Sequence, residues 1–203
     1  TTDPKTLKKE AEAILDFAEE NGFNAVILQV RPAADALYPS AIFPWSRFLT
    51  GTQGKAPANG FDPLAFWVKE AHERGLALHA WINPYRITRN GSGDKEAELK
   101  ALAAGHPAKE HPEWVVKGPD RDLYFDPGIP AVRELLCDSI REILAAYPVD
   151  GIHFDDYFYP GPNFDDSATV SAFGAAFDNP ADFRRYSIDA FIREVGEITR
   201  QAD

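Results

Sequence analysis

A chain of 203 residues, 44% hydrophobic and 26% charged, has the composition of an ordinary globular domain and enough apolar residues to bury a core. Its net charge of −11, without any Lys/Arg-rich run, argues against a nucleic-acid partner and against electrostatic attachment to an anionic membrane. A neutral or locally recognised substrate is the better expectation.

Cys137 is the only cysteine and falls on an expected helix, where a small buried apolar residue is the reading rather than a reactive thiol. There is no disulfide to read, no signal-peptide pattern and no apolar run of membrane-spanning length, so no direct membrane insertion is expected for this segment. The chain has no Met, even at position 1, which is the expectation for a processed or cut piece of a longer protein.

In chain order, Asp3-Pro4 opens a helix with a capping side chain and Pro at its first position. Leu7, Ala11, Ile14, Leu15 and Ala18 form its apolar face, and Asn21-Gly22 ends it. Residues 24–30 read as a strand. Asp62-Pro63 repeats the helix start, with Leu64, Trp67, Val68 and Ala71 at helical spacing and Gly75 closing. Residues 76–82 form the second strand. Pro130 begins a third helix through Val132, Leu135, Leu136, Ile140, Ile143 and Leu144, stopped at Tyr147-Pro148, before a third strand at 151–155. Asn179-Pro180 opens a last helix with Phe183, Phe191, Ile192, Val195 and Ile198 inward.

This helix–strand alternation predicts parallel strands joined by crossover helices. The helix-to-strand turns are short. The long connections, 31–61, 83–129 and 157–179, all follow strand carboxyl ends, as on the functional face of a β/α protein. Such long loops are expected to hold short helices, 92–105 being one candidate.

Side chains alternate along a strand. Val26, Leu28 and Val30 oppose Ile27, Gln29 and Arg31. Leu76, Leu78, Ala80 and Ile82 oppose Ala77, His79, Trp81 and Asn83. Ile152 and Phe154 oppose Gly151, His153 and Asp155. One face is apolar; the other turns polar toward the carboxyl ends. A doubly wound sheet would be apolar on both, so the prediction is an α/β fold of (β/α)8 TIM-barrel type. Three strands cannot close a barrel, so residues 1–203 are expected to be a single, partial barrel domain.

The polar inner set is Gln29, Arg31, His79, Trp81, Asn83, His153 and Asp155. Trp81 offers a flat face for a pyranose ring, and Gln29, Arg31 and Asn83 offer hydrogen bonds to hydroxyls. Asp155, where a strand runs out, is a carboxylate able to act as nucleophile or to stabilise an oxocarbenium-like charge. Asp156 follows directly and points the other way. It is a poor partner in a two-carboxylate pair and a better cap or orienting group, though it stays with Asp155 in the candidate catalytic set. The proton donor is expected elsewhere, with Asp35, Asp126, Asp165 and Asp166 available and none singled out. Read blandly, His79 is a core histidine and Arg31 an ion-pair partner of Asp155. Trp45, Trp67 and Trp114 read as packing residues. Two other function classes stay open: a metal-dependent hydrolase using His79, His153, Asp155 and Asp156, and a non-catalytic glycan-binding module.

Several blocks carry a family resemblance. They are Leu28-Gln29-Val30-Arg31, Asp35-Ala36-Leu37-Tyr38-Pro39-Ser40, Pro44-Trp45-Ser46, His79-Ala80-Trp81-Ile82-Asn83-Pro84-Tyr85-Arg86, Asp126-Pro127-Gly128 and the run from Asp150 to Pro160. In this order they resemble the glycosyl-hydrolase-like 10 family of bacterial proteins, over about residues 5–200. The resemblance implies a (β/α)8 barrel of which this chain covers about strands two to four, and glycoside hydrolysis on a cell-wall or other glycan. It adds Tyr85, Arg86 and Tyr157 to the candidate sugar-binding set, calls for no metal or other cofactor, and implies an exported or lipid-anchored envelope protein with an oligo- or polysaccharide as partner. Gly151 and Asp155 are also spaced like the fourth strand of α-amylase-like barrels, where the Asp is the nucleophile; that is an analogy.

Overall fold

Asp followed by Pro starts two of the helices in the computed structural model, which describes residues 2–155, 158–161 and 163–202. Asp3 caps α1 (Pro4–Glu20) by accepting from the Thr6 amide at 3.0 Å, and Asp62 caps α3 (Pro63–Glu73) by accepting from the Ala65 amide at 3.1 Å. Each cap satisfies an amide that the first helical turn leaves without a partner, while Pro takes a position that needs none. Gly22 and Gly75 follow these helices at φ of 73° and 69°, a left-handed turn that glycine makes without strain and that feeds the next strand.

The strands β1 (Ala25–Arg31), β2 (Ala77–Ile82) and β5 (Gly151–His153) form one parallel sheet in the order β1-β2-β5. Burial in β2 alternates strictly: Leu78, Ala80 and Ile82 are fully enclosed, while Ala77, His79 and Trp81 are half-buried. The enclosed face packs against α1, α3, α6 (Pro130–Ala146) and α8 (Pro180–Ala202), which supply Leu15, Leu64, Val68, Leu136, Ile140 and Phe191 to one core. Each such side chain contributes about 1.5–3 kcal/mol on burial. The opposite face is more open, with Ile27 53% exposed. A sheet apolar on one face and half-polar on the other matches the barrel-wall pattern in the sequence.

Four details differ from the sequence expectation. Ile14 and Ile192 were placed inward but are 54% and 42% exposed, because each lies at the edge of its helix's apolar stripe. The third strand ends at His153, which leaves Asp155 just past the strand. The loop after β2 holds the expected short helix, α4 (Lys95–Ala101), and also an antiparallel hairpin, β3 (Val115–Lys117) with β4 (Leu123–Phe125). The apolar runs around Gly118-Pro119-Asp120 carry the signal for that hairpin. The remaining short helices are α2 (Arg47–Thr50), α5 (Pro107–Glu110) and α7 (Ser167–Phe173).

Candidate active site

Parallel register lines up Gln29, Trp81 and His153 in a row across the three strands. The Trp81 and His153 rings meet edge to face, with centroids 6.0 Å apart and planes at 90°. One row deeper, Ile27, His79 and Gly151 are partners. The His79 ring lies over Gly151, where a β-carbon would come within 3.1 Å of it, so any other residue there would make the ring give by a few tenths of an ångström.

The chain after β2 carries the second wall. Arg86 pairs with Tyr124, and the Ile87 and Phe125 amides bond to the Leu123 and Tyr85 carbonyls, which pins the β3–β4 hairpin to the 85–88 segment. The hairpin thereby delivers Asp120 and Asp122. Gln29, Trp81, Arg86 and Asp155, with Arg89, Asn90, Asp120 and Asp122, line one open cleft of about 450 Å³. Four sequence candidates are brought together there. The other four lining residues were missed: Asp120 and Asp122 because the turn that carries them was not recognised, and Arg89 and Asn90 because they lie in the loop beyond the end of β2.

The two acids of the hairpin differ. Asp120 accepts from the Tyr124 hydroxyl at 2.6 Å and from the Asp122 amide at 3.1 Å. Asp122 is 7% exposed and accepts from the Gly91 amide at 2.6 Å through Oδ1. Burial pushes the Asp122 carboxyl above the usual range, the charge of Asp120 adds to this, and the Gly91 amide and Arg86 pull against it. Burial together with the bond to Asp120 raises the Tyr124 phenol to about 12.

Five of the expected sugar-binding residues, Arg31, His79, Asn83, Tyr85 and His153, lie outside the lining of this cleft. A β-bulge sets both Val30 and Arg31 against Ile82, which turns Arg31 onto the helix side of the sheet. Its guanidinium is completely buried, 4.5 Å from the Phe43 ring centroid, and donates to the Ser139 hydroxyl of α6 at 2.5 Å. Arg31 is therefore a strut between β1 and α6, neither a wall of the cleft nor the partner of Asp155 that the bland reading made it. Tyr85 is likewise core: it is fully buried between Phe158 and Phe191, at 6.4 and 5.6 Å between centroids. Asn83 is fully buried, and neither amide atom has a hydrogen-bond partner among the described residues. Asp156 and Tyr157 lie outside the described residues.

The four loop acids considered as proton donors separate by environment. Asp126 is buried under Thr169 and the Gly128 amide, Asp166 is held by two bonds from Arg184, and Asp165 caps Ser167. Asp35 is 2% exposed, and burial raises its carboxyl. Cys137 is buried, which pushes its thiol up to about 12 and leaves it inert. Among the described residues no three His, Cys, Asp or Glu side chains converge to hold a metal ion, and no helix is long and apolar enough to cross a membrane.

The sequence pattern of Glycosyl hydrolase-like 10 matches residues 3–202, nearly the whole chain. The chain belongs to this family. It is 43% identical over 203 residues to glycosyl hydrolase YngK of Bacillus subtilis, covering 98% of this chain and 38% of that protein. It is 41% identical over 192 residues to glycosyl hydrolase DigH of Escherichia coli, covering 92% of this chain and 43% of that protein. This family member thus spans about two-fifths of the length of these relatives. Its fold resembles a GH36 alpha-galactosidase of Geobacillus stearothermophilus, with TM-score 0.56 at 15% identity over 94% of this chain and 24% of that one. It also resembles alpha-L-fucosidase isoenzyme 2 of Paenibacillus thiaminolyticus, with TM-score 0.53 at 17% identity over 96% and 26%. These likenesses give the fold: an α/β chain of β/α-barrel type that covers part of such a barrel.

Proposed function

We propose that this family member is the substrate-binding and nucleophile-bearing part of a glycoside hydrolase, with Asp155 as the reacting carboxylate. The observation that carries the reading is the cleft in which Asp155, Trp81 and Gln29 face the acids of the β3–β4 hairpin. Membership of a glycosyl-hydrolase-like family supports it.

In this reading the pyranose ring lies on Trp81, and Gln29 and Asn90 hydrogen-bond its hydroxyls. Asp155 attacks the anomeric carbon, or stabilises the positive charge there, as the glycosidic bond breaks. Asp122 fits the role of proton donor. Its environment favours the protonated form, and its Oδ1 is fixed by the Gly91 amide. It gives its proton to the departing oxygen and, as a carboxylate, takes one from the incoming water. Arg86, on the same wall, limits the build-up of negative charge among the three acids.

The test is hydrolysis of chito-, cello- and malto-oligosaccharides by the wild-type protein and by Asp155→Asn, with thermal unfolding as the control for folding. A fall in turnover on the order of 10³-fold or more, with an unchanged unfolding midpoint, is expected. Unchanged turnover overturns the role of Asp155. Sugar binding without any turnover by the wild type moves the reading to a glycan-binding module.

A further inference from the structure

The turn that carries Asp120 and Asp122 is built around one close approach. It is closed by the Gly118 amide on the Asp122 carbonyl at 2.9 Å and by the Arg121 amide on the Gly118 carbonyl at 3.1 Å. At Gly118 a β-carbon would come within 2.5 Å of Asp120 Oδ1 and 2.7 Å of the Tyr124 ring, so any other residue would force at least one of them to move. Glycine thus lets phenol and carboxylate meet. The Tyr124 hydroxyl donates to Asp120 Oδ2 at 2.6 Å, and the Asp122 amide donates to Oδ1 at 3.1 Å. One donor on each oxygen fixes both the place and the orientation of the carboxylate. Tyr124 is itself held fast: it is 3% exposed, and its backbone pairs with Val116 and Arg86.

Asp120 lies exposed on the turn, and a charge free to swing into water acts weakly on its neighbours. Anchored by Tyr124, it stays beside Asp122. Charges reach Asp122 from each element around it: Asp120 from its own hairpin, Glu98 from α4 and Arg86 from the segment after β2, with Arg89 and Asp155 elsewhere in the cleft lining. Burial holds the proton on Asp122, and the negative charges of Asp120 and Glu98 strengthen that hold against the Gly91 amide and Arg86. Of these groups Asp120 is the one whose position depends on a single side-chain hydroxyl.

We propose that Tyr124 is a positioning residue of the reaction: by anchoring Asp120 against Asp122 it keeps the proton on the donor. The proposal rests on the glycosidase reading and adds to it the group that maintains its acid.

The experiment compares the wild type with Tyr124→Phe and Asp120→Asn by two readouts. Carbon NMR of the aspartate carboxyls follows the titration of Asp122 without any substrate, its signal assigned with Asp122→Asn. Hydrolysis of chito-, cello- and malto-oligosaccharides is then followed against pH. In both variants Asp122 should titrate at lower pH than in the wild type. The alkaline limb of kcat should move the same way, with KM changed by less than about twofold. Tyr124→Phe keeps the buried ring, so the unfolding midpoint should hold; should it not fold, Gly118→Ala, which forces the same contact open, takes its place. A titration of Asp122 that loss of the hydroxyl leaves unmoved overturns the proposal. A titration that moves while the limb stays overturns it too, and leaves the role of Asp155 standing. No hydrolysis by the wild type overturns the glycosidase reading and the role of Tyr124 with it.

Discussion

Trp81 and His153 meet edge to face because they are register partners on adjacent parallel strands, with ring centroids 6.0 Å apart. The perpendicular contact fixes the two rings against each other, and Trp81 stays half-buried in the lining of the cleft. Trp81→Ala should weaken glycan binding roughly ten- to hundredfold, at about 1.4 kcal/mol per tenfold. Titration calorimetry with the tightest-binding oligosaccharide checks this. An unaltered affinity would return Trp81 to a packing role.

The acid of the hairpin has a kinetic signature. Asp122→Asn should lower turnover on sugars with a poor leaving group by on the order of 10²–10⁴-fold. Nitrophenyl glycosides, whose leaving group departs without a proton, should be far less affected. In the wild type the donor is active while protonated, so activity is present below the Asp122 pKa and lost as pH rises through it. Because burial raises that pKa, the alkaline limb should lie above the ordinary carboxylate range and should vanish in Asp122→Asn. Equal losses on both substrate types would remove Asp122 from proton transfer.

Arg31 gives a stability prediction that is separate from function. Ser139→Ala removes the hydroxyl that accepts from its guanidinium and leaves a buried donor without that partner. The cost should be about 1–3 kcal/mol, read from urea unfolding, with glycan affinity unchanged. A loss of affinity at equal stability would place Arg31 back at the site.

His106 should make stability depend on pH. It is fully buried, caps α5 by accepting from the Ala108 amide at 3.1 Å, and burial lowers its pKa from 6.5 to about 4. Between those values the unfolded chain binds a proton that the folded chain does not. The contribution is therefore complete above pH 6.5 and lost as pH falls toward 4. His106→Asn keeps a capping acceptor and should flatten the fall in unfolding free energy over that window. An undiminished slope would assign the acid sensitivity to other groups.

Much of the fold was legible because its signals are local. Asp-Pro starts, Gly ends and period-two strands do not depend on distant contacts, and they gave the helices, the parallel strands and the polar face with Gln29, Trp81 and Asp155. Arg31 was misplaced because a bulge of one residue reverses every side chain beyond it, and nothing in Gln29-Val30-Arg31 marks one. Tyr85 entered the candidate set through the family resemblance and not through alternation, and its ring packs in the core against Phe158 and Phe191. Asp120 and Asp122 were missed for a third reason: their place in the cleft comes from the pairing of Leu123 and Phe125 with the 85–88 segment, a contact across more than thirty residues.

The most direct measurement is a crystal structure of the protein soaked with a chito-oligosaccharide hexamer. The account expects a sugar ring on Trp81 with its anomeric carbon beside Asp155. Sugar bound away from Asp155, or a metal ion held by His79, His153 and Asp155, would contradict it.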